Sequence, residues 1–191
     1  PKSQIFVQPT QGDVQTFLET KLRPMIEANK SIAEKMAKPR SRDGVNNSRM
    51  ISYVGGWLMF SWAGSPKTLR SRSAPITHAD EIDGMEATAE GDPIELLAQR
   101  SATFGDQALR TESSTPTIAG ASRVENAFKQ GDMRRYYVPC PHCDEAQFLR
   151  WENVIWQGRK STNIQDAKED LDQQHEVETA SYRCECCGES W

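Results

Sequence analysis

The stretch Pro75-Ile-Thr-His-Ala-Asp-Glu-Ile-Asp83 carries the most weight for the fold of this 191-residue chain, because a short strand candidate runs directly into adjacent acidic residues. A nucleotide hydrolase needs one carboxylate at a strand end to hold the magnesium shell and a second to orient and deprotonate the attacking water. Asp80 and Glu81 can divide these two roles. On these residues alone, however, a solvated turn is the preferred interpretation, since charged residues are mostly exposed.

A second candidate motif, Ser114-Thr-Pro116, follows a later strand candidate over 108–113. Hydroxyl groups at a strand end can hydrogen-bond a catalytic carboxylate or sense a γ-phosphate, and proline stiffens the turn. In isolation the motif also suits an ordinary strand-to-helix turn. Between the two motifs, Asp92-Pro93 starts a capped helix. The order of strand, acidic pair, helix, strand and Ser-Thr-Pro matches the second half of an ASCE-type P-loop ATPase.

The rest of the chain also alternates strands with helices. The pattern predicts strands over 4–8, 50–54 and 57–62, the last two joined as a hairpin. It also predicts a helix over 13–28, a short helix capped by Ser31 and Glu34 and ended by Pro39, and a helix capped by Ser122 and Glu125 and ended by Gly131. The face of helix 13–28 predicted to be buried consists of Val14, Phe17, Leu18, Leu22 and Met25. This alternation predicts an α/β core with a largely parallel sheet.

The cysteines form two CxxC pairs, Cys140-Pro-His-Cys143 and Cys184-Glu-Cys-Cys187. Zinc requires four ligands in a tetrahedron, and a two-residue spacing lets one tight turn aim both thiolates at the same ion. Two such turns predict a closed, structural Zn²⁺ site with Cys140, Cys143, Cys184 and Cys187 as ligands. A redox CxxC is the alternative, but it does not explain two pairs. Cys186 is a spare thiol.

Composition limits the classes of protein that this chain can belong to. The formal net charge is −4, which argues mildly against broad, non-specific nucleic-acid binding by these residues alone. Much of the acidity lies in the stretch 166–178. No apolar run approaches the length needed to cross a bilayer, and no signal peptide is evident. Cysteines at metal-ligand spacing, rather than in a disulfide framework, favour a reducing compartment and hence the cytoplasm.

These motifs together resemble the GpA family of phage terminase large subunits, of the lambdoid type. The most specific match is Gly131-Asp-Met-Arg-Arg-Tyr-Tyr-Val-Pro-Cys-Pro-His-Cys143, joined to Ser114-Thr-Pro-Thr117 upstream. Further matching stretches are Val7-Gln-Pro-Thr10, Leu22-Arg-Pro-Met-Ile26, Ser65-Pro-Lys-Thr-Leu-Arg70, Asp80-Glu-Ile-Asp83 and Gly91-Asp-Pro93. The resemblance covers nearly the whole chain.

The resemblance implies a role for each candidate residue, with ATP and Mg²⁺ as cofactors. Asp80 would be the Walker B residue of the magnesium shell, and Glu81 would be the catalytic base. Ser114-Thr115-Pro116 would form the coupling motif that passes the state of the nucleotide to parts that grip DNA. Pro9-Thr10 is similar in placement to a helicase-like motif that contacts DNA or the nucleotide pocket.

The resemblance also implies partners and a location. Proteins of this family couple ATP hydrolysis to the translocation of double-stranded DNA into a procapsid, and a C-terminal nuclease cuts the DNA. The expected partners are therefore double-stranded DNA, a terminase small subunit, the portal protein and further copies of the same chain. The expected location is the cytoplasm of the host cell, with no membrane association.

The sequence predicts two domains, a partial ATPase core over 1–135 and a zinc-ribbon-like module with an acidic insertion over 136–191. No G-x-x-x-x-G-K-[ST] phosphate loop occurs, so that loop is expected before Pro1, and the nuclease is expected after Trp191. These residues alone are then expected not to hydrolyse ATP. Two alternatives remain: a helicase-like translocase of another family, and a non-catalytic zinc-ribbon module that binds nucleic acid.

Overall fold

The computed structural model describes residues 2–36, 49–158 and 176–191. The chain divides into two compact units, Pro1–Asp132 and Met133–Trp191. The predicted loop over 40–48, the helix stop at Pro39 and most of the acidic stretch 166–178 lie outside the described residues.

A five-stranded sheet in the order β2-β3-β1-β4-β5 forms the centre of the first unit. Its strands are β1 (Gln4–Gln8), β2 (Met50–Tyr53), β3 (Gly56–Trp62), β4 (Ile76–Asp80) and β5 (Leu109–Ser113). Within this sheet β1, β3, β4 and β5 pair in parallel, and β2 pairs antiparallel with β3. The prediction of an α/β core with a largely parallel sheet is confirmed.

The register of the strands places their carboxyl ends side by side. Val7 lies opposite both Ser61 of β3 and Ala79 of β4, and Asp80 lies opposite Ser113 of β5. Residues that follow β1, β4 and β5 therefore meet at one edge of the sheet, where ligands bind in open α/β folds.

Six α-helices are described: α1 (Gln11–Phe17), α2 (Arg23–Ala28), α3 (Lys30–Ala33), α4 (Pro66–Leu69), α5 (Pro93–Ser101) and α6 (Arg123–Gln130). The predicted caps of the two longest are confirmed, because Asp92 accepts a hydrogen bond from the backbone N–H of Ile94 and Ser122 accepts one from Glu125. The predicted cap at Ser31 is wrong: α3 starts at Lys30, so Ser31 lies inside the helix.

The predicted helix over 13–28 is interrupted by a π-helical turn, Leu18–Leu22, between α1 and α2. Pro24 lacks a backbone N–H and cannot continue the ordinary hydrogen-bond ladder, and the wider turn ends just before it. The inserted turn rotates the following residues away from the sheet. Val14 and Leu18 are buried as predicted, but Met25 is exposed, so its assignment to the buried face is wrong.

Side chains of β1 alternate between two apolar clusters on opposite faces of the sheet. Ile5 and Val7 belong to the cluster that Leu96 and Leu97 of α5 complete. Phe6 packs against the other cluster, which contains Val14, Leu18 and Phe60, and its ring stacks on Phe17 at 4.5 Å. The sheet is thus covered by α1 on one face and by α5 on the other.

Strand β4 lies inside the sheet although its sequence is unusually polar for such a position. Thr77 is buried, and His78 crosses between neighbouring strands: its Nδ1 lies 2.6 Å from the Thr111 hydroxyl and its Nε2 lies 3.0 Å from Gln4 Oε1. These partners satisfy the imidazole, which therefore packs between the strands. Burial lowers the pKa of His78 below its ordinary value.

Acidification is expected to destabilise the folded chain through His78. Its pKa is depressed in the folded state, so the unfolded chain binds the proton more readily. The stability is complete above the ordinary histidine pKa of about 6.5 and falls as the pH drops below it. We expect Tm to fall between pH 7.5 and 5.5, and to fall less in His78→Gln. An equal decrease in the variant would contradict this role.

The second unit contains two small antiparallel pairs of strands. They are β6 (Tyr137–Pro139) with β7 (Ala146–Phe148), and β8 (Val154–Gln157) with β9 (Glu176–Tyr182). The first CxxC pair lies in the turn between β6 and β7, and the second follows β9. Among residues 133–158 and 176–191, few apolar side chains are buried, so these strands form only a small core.

Candidate functional site

Three predicted motifs meet at the carboxyl edge of the sheet. Pro9 and Thr10 follow β1, Asp80 ends β4 and is followed by Glu81, and Ser114 follows β5. These motifs are distant in sequence. They lie close together because β1, β4 and β5 pair in parallel and end at the same edge. Asp80 is half-buried and is not part of a free solvated turn.

The Asp80 carboxylate is held from both sides by neighbouring strands. Gln8 Nε2 donates to Oδ2 at 3.1 Å, and the Ser113 hydroxyl donates to Oδ1 at 2.8 Å. Sequence reasoning missed both partners and selected the following hydroxyls, Ser114 and Thr115. The signal that was available is the position of Gln8 and Ser113 as the last residues of strands that flank β4.

Glu81 adopts a left-handed backbone conformation, with φ 57° and ψ 45°. This conformation costs a non-glycine residue about 1–2 kcal/mol, and it is often found at functional sites. The exposed Glu81 side chain lines a cleft of about 340 Å³ together with Gln8, Pro9, Asp13, Thr16, Phe17 and Lys21. The structure therefore places a carboxylate beside a cleft large enough for part of a nucleotide.

The remaining predicted residues of this edge have structural contacts of their own. Thr10 caps α1: its hydroxyl accepts from the Asp13 N–H at 3.2 Å and donates to the Asp13 carboxylate at 2.6 Å. Ser114 Oγ accepts from the backbone N–H of Asp83 at 3.2 Å. Thr115 is exposed.

The oxygen atoms at this edge suit a hydrated Mg²⁺ ion. Mg²⁺ favours one or two carboxylates and retains several of its waters. Gln8 donates through its Nε2 to the Asp80 carboxylate. The Oε1 atom of the same side chain is buried and has no hydrogen-bond partner among the described residues. Such an acceptor fits a hydrogen bond from a metal-bound water.

The four predicted cysteine ligands lie together in the second unit, with all their Sγ atoms within 4.8 Å of one another. Cys140 and Cys184 are buried, whereas Cys143 and Cys187 are exposed. The spare thiol Cys186 is outside the cluster. This spacing lets one ion contact all four sulfur atoms.

Backbone turns around the cluster have the geometry of metal knuckles. The N–H of Asp144 donates to the Cys140 carbonyl at 2.8 Å, and the N–H of Gly188 donates to the Cys184 carbonyl at 3.1 Å. Both turns require a left-handed residue; Gly188 has φ 78° and Asp144 has φ 60°. Aspartate tolerates this conformation better than most residues, so the first turn forms without glycine.

Hydrogen bonds to sulfur favour the thiolate of Cys184, whereas burial and the neighbouring thiols disfavour the thiolate of Cys187. The backbone N–H of Cys187, then the amide of the buried Gln147 and the N–H of Cys186, lower the pKa of Cys184 to about 6 against the effect of burial. The N–H of Glu189 lowers the pKa of Cys187, but burial and the neighbouring thiols raise it to about 12 overall. Metal ions bind cysteine as thiolate, so the cluster suits a cation.

The class of the chain follows from its similarity to known proteins. The family described as "Phage terminase large subunit gpA, ATPase domain" matches residues 1–191. The chain therefore belongs to the ATPase-domain family of gpA-type phage terminase large subunits, as its motifs predicted.

Two curated relatives are the large terminase subunits of Enterobacteria phage P21 and Escherichia phage lambda. The first is 28% identical over 156 residues, which is 78% of this chain and 24% of that protein. The second is 27% identical over 150 residues, which is 75% of this chain and 23% of that protein. The chain thus spans about a quarter of the length of these relatives.

A solved structure with some similarity is the ATPase domain of the large terminase of Thermus phage P74-26. It superposes with a TM-score of 0.47 at 14% identity, over 78% of this chain and 61% of that chain. Within the part of the chain that the structure describes, no helix is long and apolar enough to span a membrane.

Proposed function

We propose that this chain is the catalytic part of an ATP-driven motor that moves viral double-stranded DNA into a procapsid. The observation that carries the proposal is the Asp80-Glu81 pair at the end of a central parallel strand, with Asp80 fixed by Gln8 and Ser113 and Glu81 beside a cleft. Family membership supports the same function.

The proposed chemistry assigns a separate task to each carboxylate. Mg²⁺, bound together with ATP, would neutralise charge on the phosphate oxygens. Asp80 would hold the shell of that ion, oriented by Gln8 and Ser113 so that it need not reorganise on binding. Glu81 would orient the attacking water and accept its proton. Pro9 and Thr10 lie next to this cleft, where they would contact the nucleotide or DNA.

Ser114 and Thr115 would connect the nucleotide site to the rest of the motor. Ser114 Oγ contacts the backbone of the turn that follows Glu81, so a shift of this turn moves the start of the segment after β5. This contact is the physical basis for the coupling role of the Ser114-Thr115-Pro116 motif.

The exposed edge of the sheet suits a further strand. All five residues of β5 are exposed, whereas the strands of a parallel sheet are normally covered on both faces.

The proposed metal of the cysteine cluster is a structural Zn²⁺ ion bound by Cys140, Cys143, Cys184 and Cys187. Four thiolates within one tetrahedron leave no open position for catalysis, so the ion would stabilise a zinc-ribbon-like module over 136–191. The domain organisation that we propose is this module together with a partial ATPase core over 1–135.

The proposed partners follow from the motor function. They are double-stranded DNA, the terminase small subunit, the portal protein and further copies of the chain, in the cytoplasm of the infected host cell. An endonuclease activity would belong to the full-length protein.

A direct test changes the residue of the magnesium shell. We expect Asp80→Asn to lower DNA-stimulated ATP hydrolysis by the full-length protein about 100-fold or more, with part of the rate restored at high Mg²⁺, because the ion loses a charged ligand. The matched control is Asp106→Asn, which changes an exposed carboxylate of the 3₁₀ segment Ala102–Gln107 before β5. Equal rates for Asp80→Asn and wild type would contradict the proposal.

The two alternatives make different predictions. A helicase-like translocase of another family would unwind duplex DNA, whereas a packaging motor would move it without strand separation. A non-catalytic zinc-ribbon module would bind nucleic acid with the same affinity in Asp80→Asn and wild type and would show no ATP hydrolysis. Membership of the terminase family disfavours both.

A further inference from the structure

The turn that contains Glu81 has an unfavourable backbone conformation, which contacts with neighbouring residues must stabilise. Glu81 has φ 57°, and left-handed backbone is disfavoured for a residue with a side chain of this size. Strain of this kind persists only where the surroundings determine the conformation from both sides. On the amino side, Asp80 is fixed by Gln8 and Ser113.

On the carboxyl side, Asp83 fixes the turn through a set of four hydrogen bonds. Its Oδ2 accepts from the backbone N–H and the hydroxyl of Thr117, each at 3.0 Å, and its Oδ1 accepts from the N–H of Val124 at 2.9 Å. Its own N–H donates to Ser114 Oγ at 3.2 Å. Asp83 therefore ties the Glu81 turn to the segment between β5 and α6.

These contacts require an ionised carboxylate. The side-chain oxygens face donors only, and an ionised aspartate is the group that accepts without donating. The backbone N–H of Val124 makes the largest contribution to lowering the pKa of Asp83 to about 2, and the hydroxyl of Ser122 and both donors of Thr117 act in the same direction against burial. An asparagine would turn an NH₂ group toward at least one of these donors.

A rigid connection joins Asp83 to Glu81. Residues Ile82–Gly84 form a single 3₁₀ turn in which Gly84 N–H donates to the Glu81 carbonyl at 3.0 Å. Ile82 is 1% exposed, and a Cβ on Gly84 would lie 3.3 Å from Pro9. Asp83 is two residues from Glu81 within this hydrogen-bonded turn, so a movement of Asp83 is expected to move Glu81 as well.

We propose that Asp83 is a positioning residue that holds Glu81 in its left-handed conformation and makes the direction of the Glu81 carboxylate depend on the segment between β5 and α6. The inference rests on the proposed function, in which Glu81 is the catalytic base. It adds a residue that acts on catalysis through Glu81 and does not itself touch the nucleotide.

The test is a double-mutant cycle on ATP hydrolysis by the full-length protein. We expect Asp83→Asn to lower kcat about 10-fold or more, with KM for ATP changed less than about twofold, because a misplaced base slows the reaction without weakening binding. In the Glu81→Gln background, Asp83→Asn should cost less than about twofold, since the base that it positions is already absent. Thr117→Val, which removes one donor only, should give a smaller decrease of the same kind.

Ser101→Ala provides a control for general destabilisation. Ser101 is fully buried, and its hydroxyl accepts from Arg110 Nε at 2.8 Å, which ties α5 to β5 away from the Glu81 turn. Its Tm should fall, while kcat should stay within about twofold of wild type.

Two results overturn the inference alone. One is a kcat of Asp83→Asn equal to that of Ser101→Ala. The other is an equal fold-loss of kcat from Asp83→Asn in the wild-type and in the Glu81→Gln background. If Asp83→Asn does not fold, the same comparison of kcat in the two backgrounds is made with Thr117→Val. A wild-type rate that does not respond to Glu81→Gln would instead overturn the proposed function, and this inference with it.

Discussion

Glu81→Gln is expected to lower the kcat of DNA-stimulated ATP hydrolysis by about 100-fold or more in the full-length protein. Glutamine keeps the size of the side chain and a hydrogen-bonding oxygen, but it cannot accept the proton of the attacking water. The dissociation constant for ATP should change little, because Asp80 and its two partners remain in place. Rate and nucleotide affinity, measured on the same preparations, separate catalysis from binding.

Glu86→Gln is the matched control for this substitution. Glu86 is exposed and follows the same turn, and its substitution makes the same chemical change. We expect it to hydrolyse ATP at the wild-type rate. If Glu81→Gln also does so, Glu81 is not the catalytic base, and a non-catalytic zinc-ribbon module becomes the better account of the chain.

Loss of the proposed Zn²⁺ ion from the cysteine cluster is expected to unfold the second unit and leave the first one folded. The described residues of the unit Met133–Trp191 include few buried apolar side chains, so the ion would supply much of its stability. Structural zinc sites contribute about 10–16 kcal/mol of apparent binding free energy in small peptides. We expect Cys140→Ser to reduce bound zinc from one equivalent to none. Protection of backbone amides from hydrogen exchange should be lost in the second unit only.

Cys186→Ser is the matched control, since it removes a thiol that lies next to a ligand but outside the cluster. This variant should retain one equivalent of zinc and the wild-type protection pattern. Zinc lost from Cys186→Ser would mean that Cys186 replaces Cys187 as a ligand. Undiminished zinc in Cys140→Ser would mean that the cluster is not the metal site.

Local signals in the sequence predicted most elements of the fold. The caps at Asp92 and Ser122 and the hairpin of β2 and β3 are confirmed, because each depends on residues a few positions apart. The predicted cap at Ser31 is wrong, although its spacing to Glu34 was suitable, since the chain had already entered the helix at Lys30. Spacing alone does not fix where a short helix begins.

Interactions between distant residues explain what the sequence did not reveal. Met25 was assigned to a buried face, but the π turn before Pro24 changes the helical phase that this assignment assumed. Strand β4 is polar for a central strand, and this polarity is explained only by the partners of His78 on β1 and β5. Neither effect can be read from a window of neighbouring residues.

The sequence by itself determined the family, the α/β class and the four cysteines of the cluster, because motif order, periodicity and CxxC spacing are properties of short segments. Only the tertiary structure decided that Gln8 and Ser113 hold Asp80, and that Asp83 fastens the Glu81 turn to the start of α6. The reason is physical. Parallel strands bring residues from distant parts of the chain to one edge, and the register that aligns them is set by packing on both faces of the sheet.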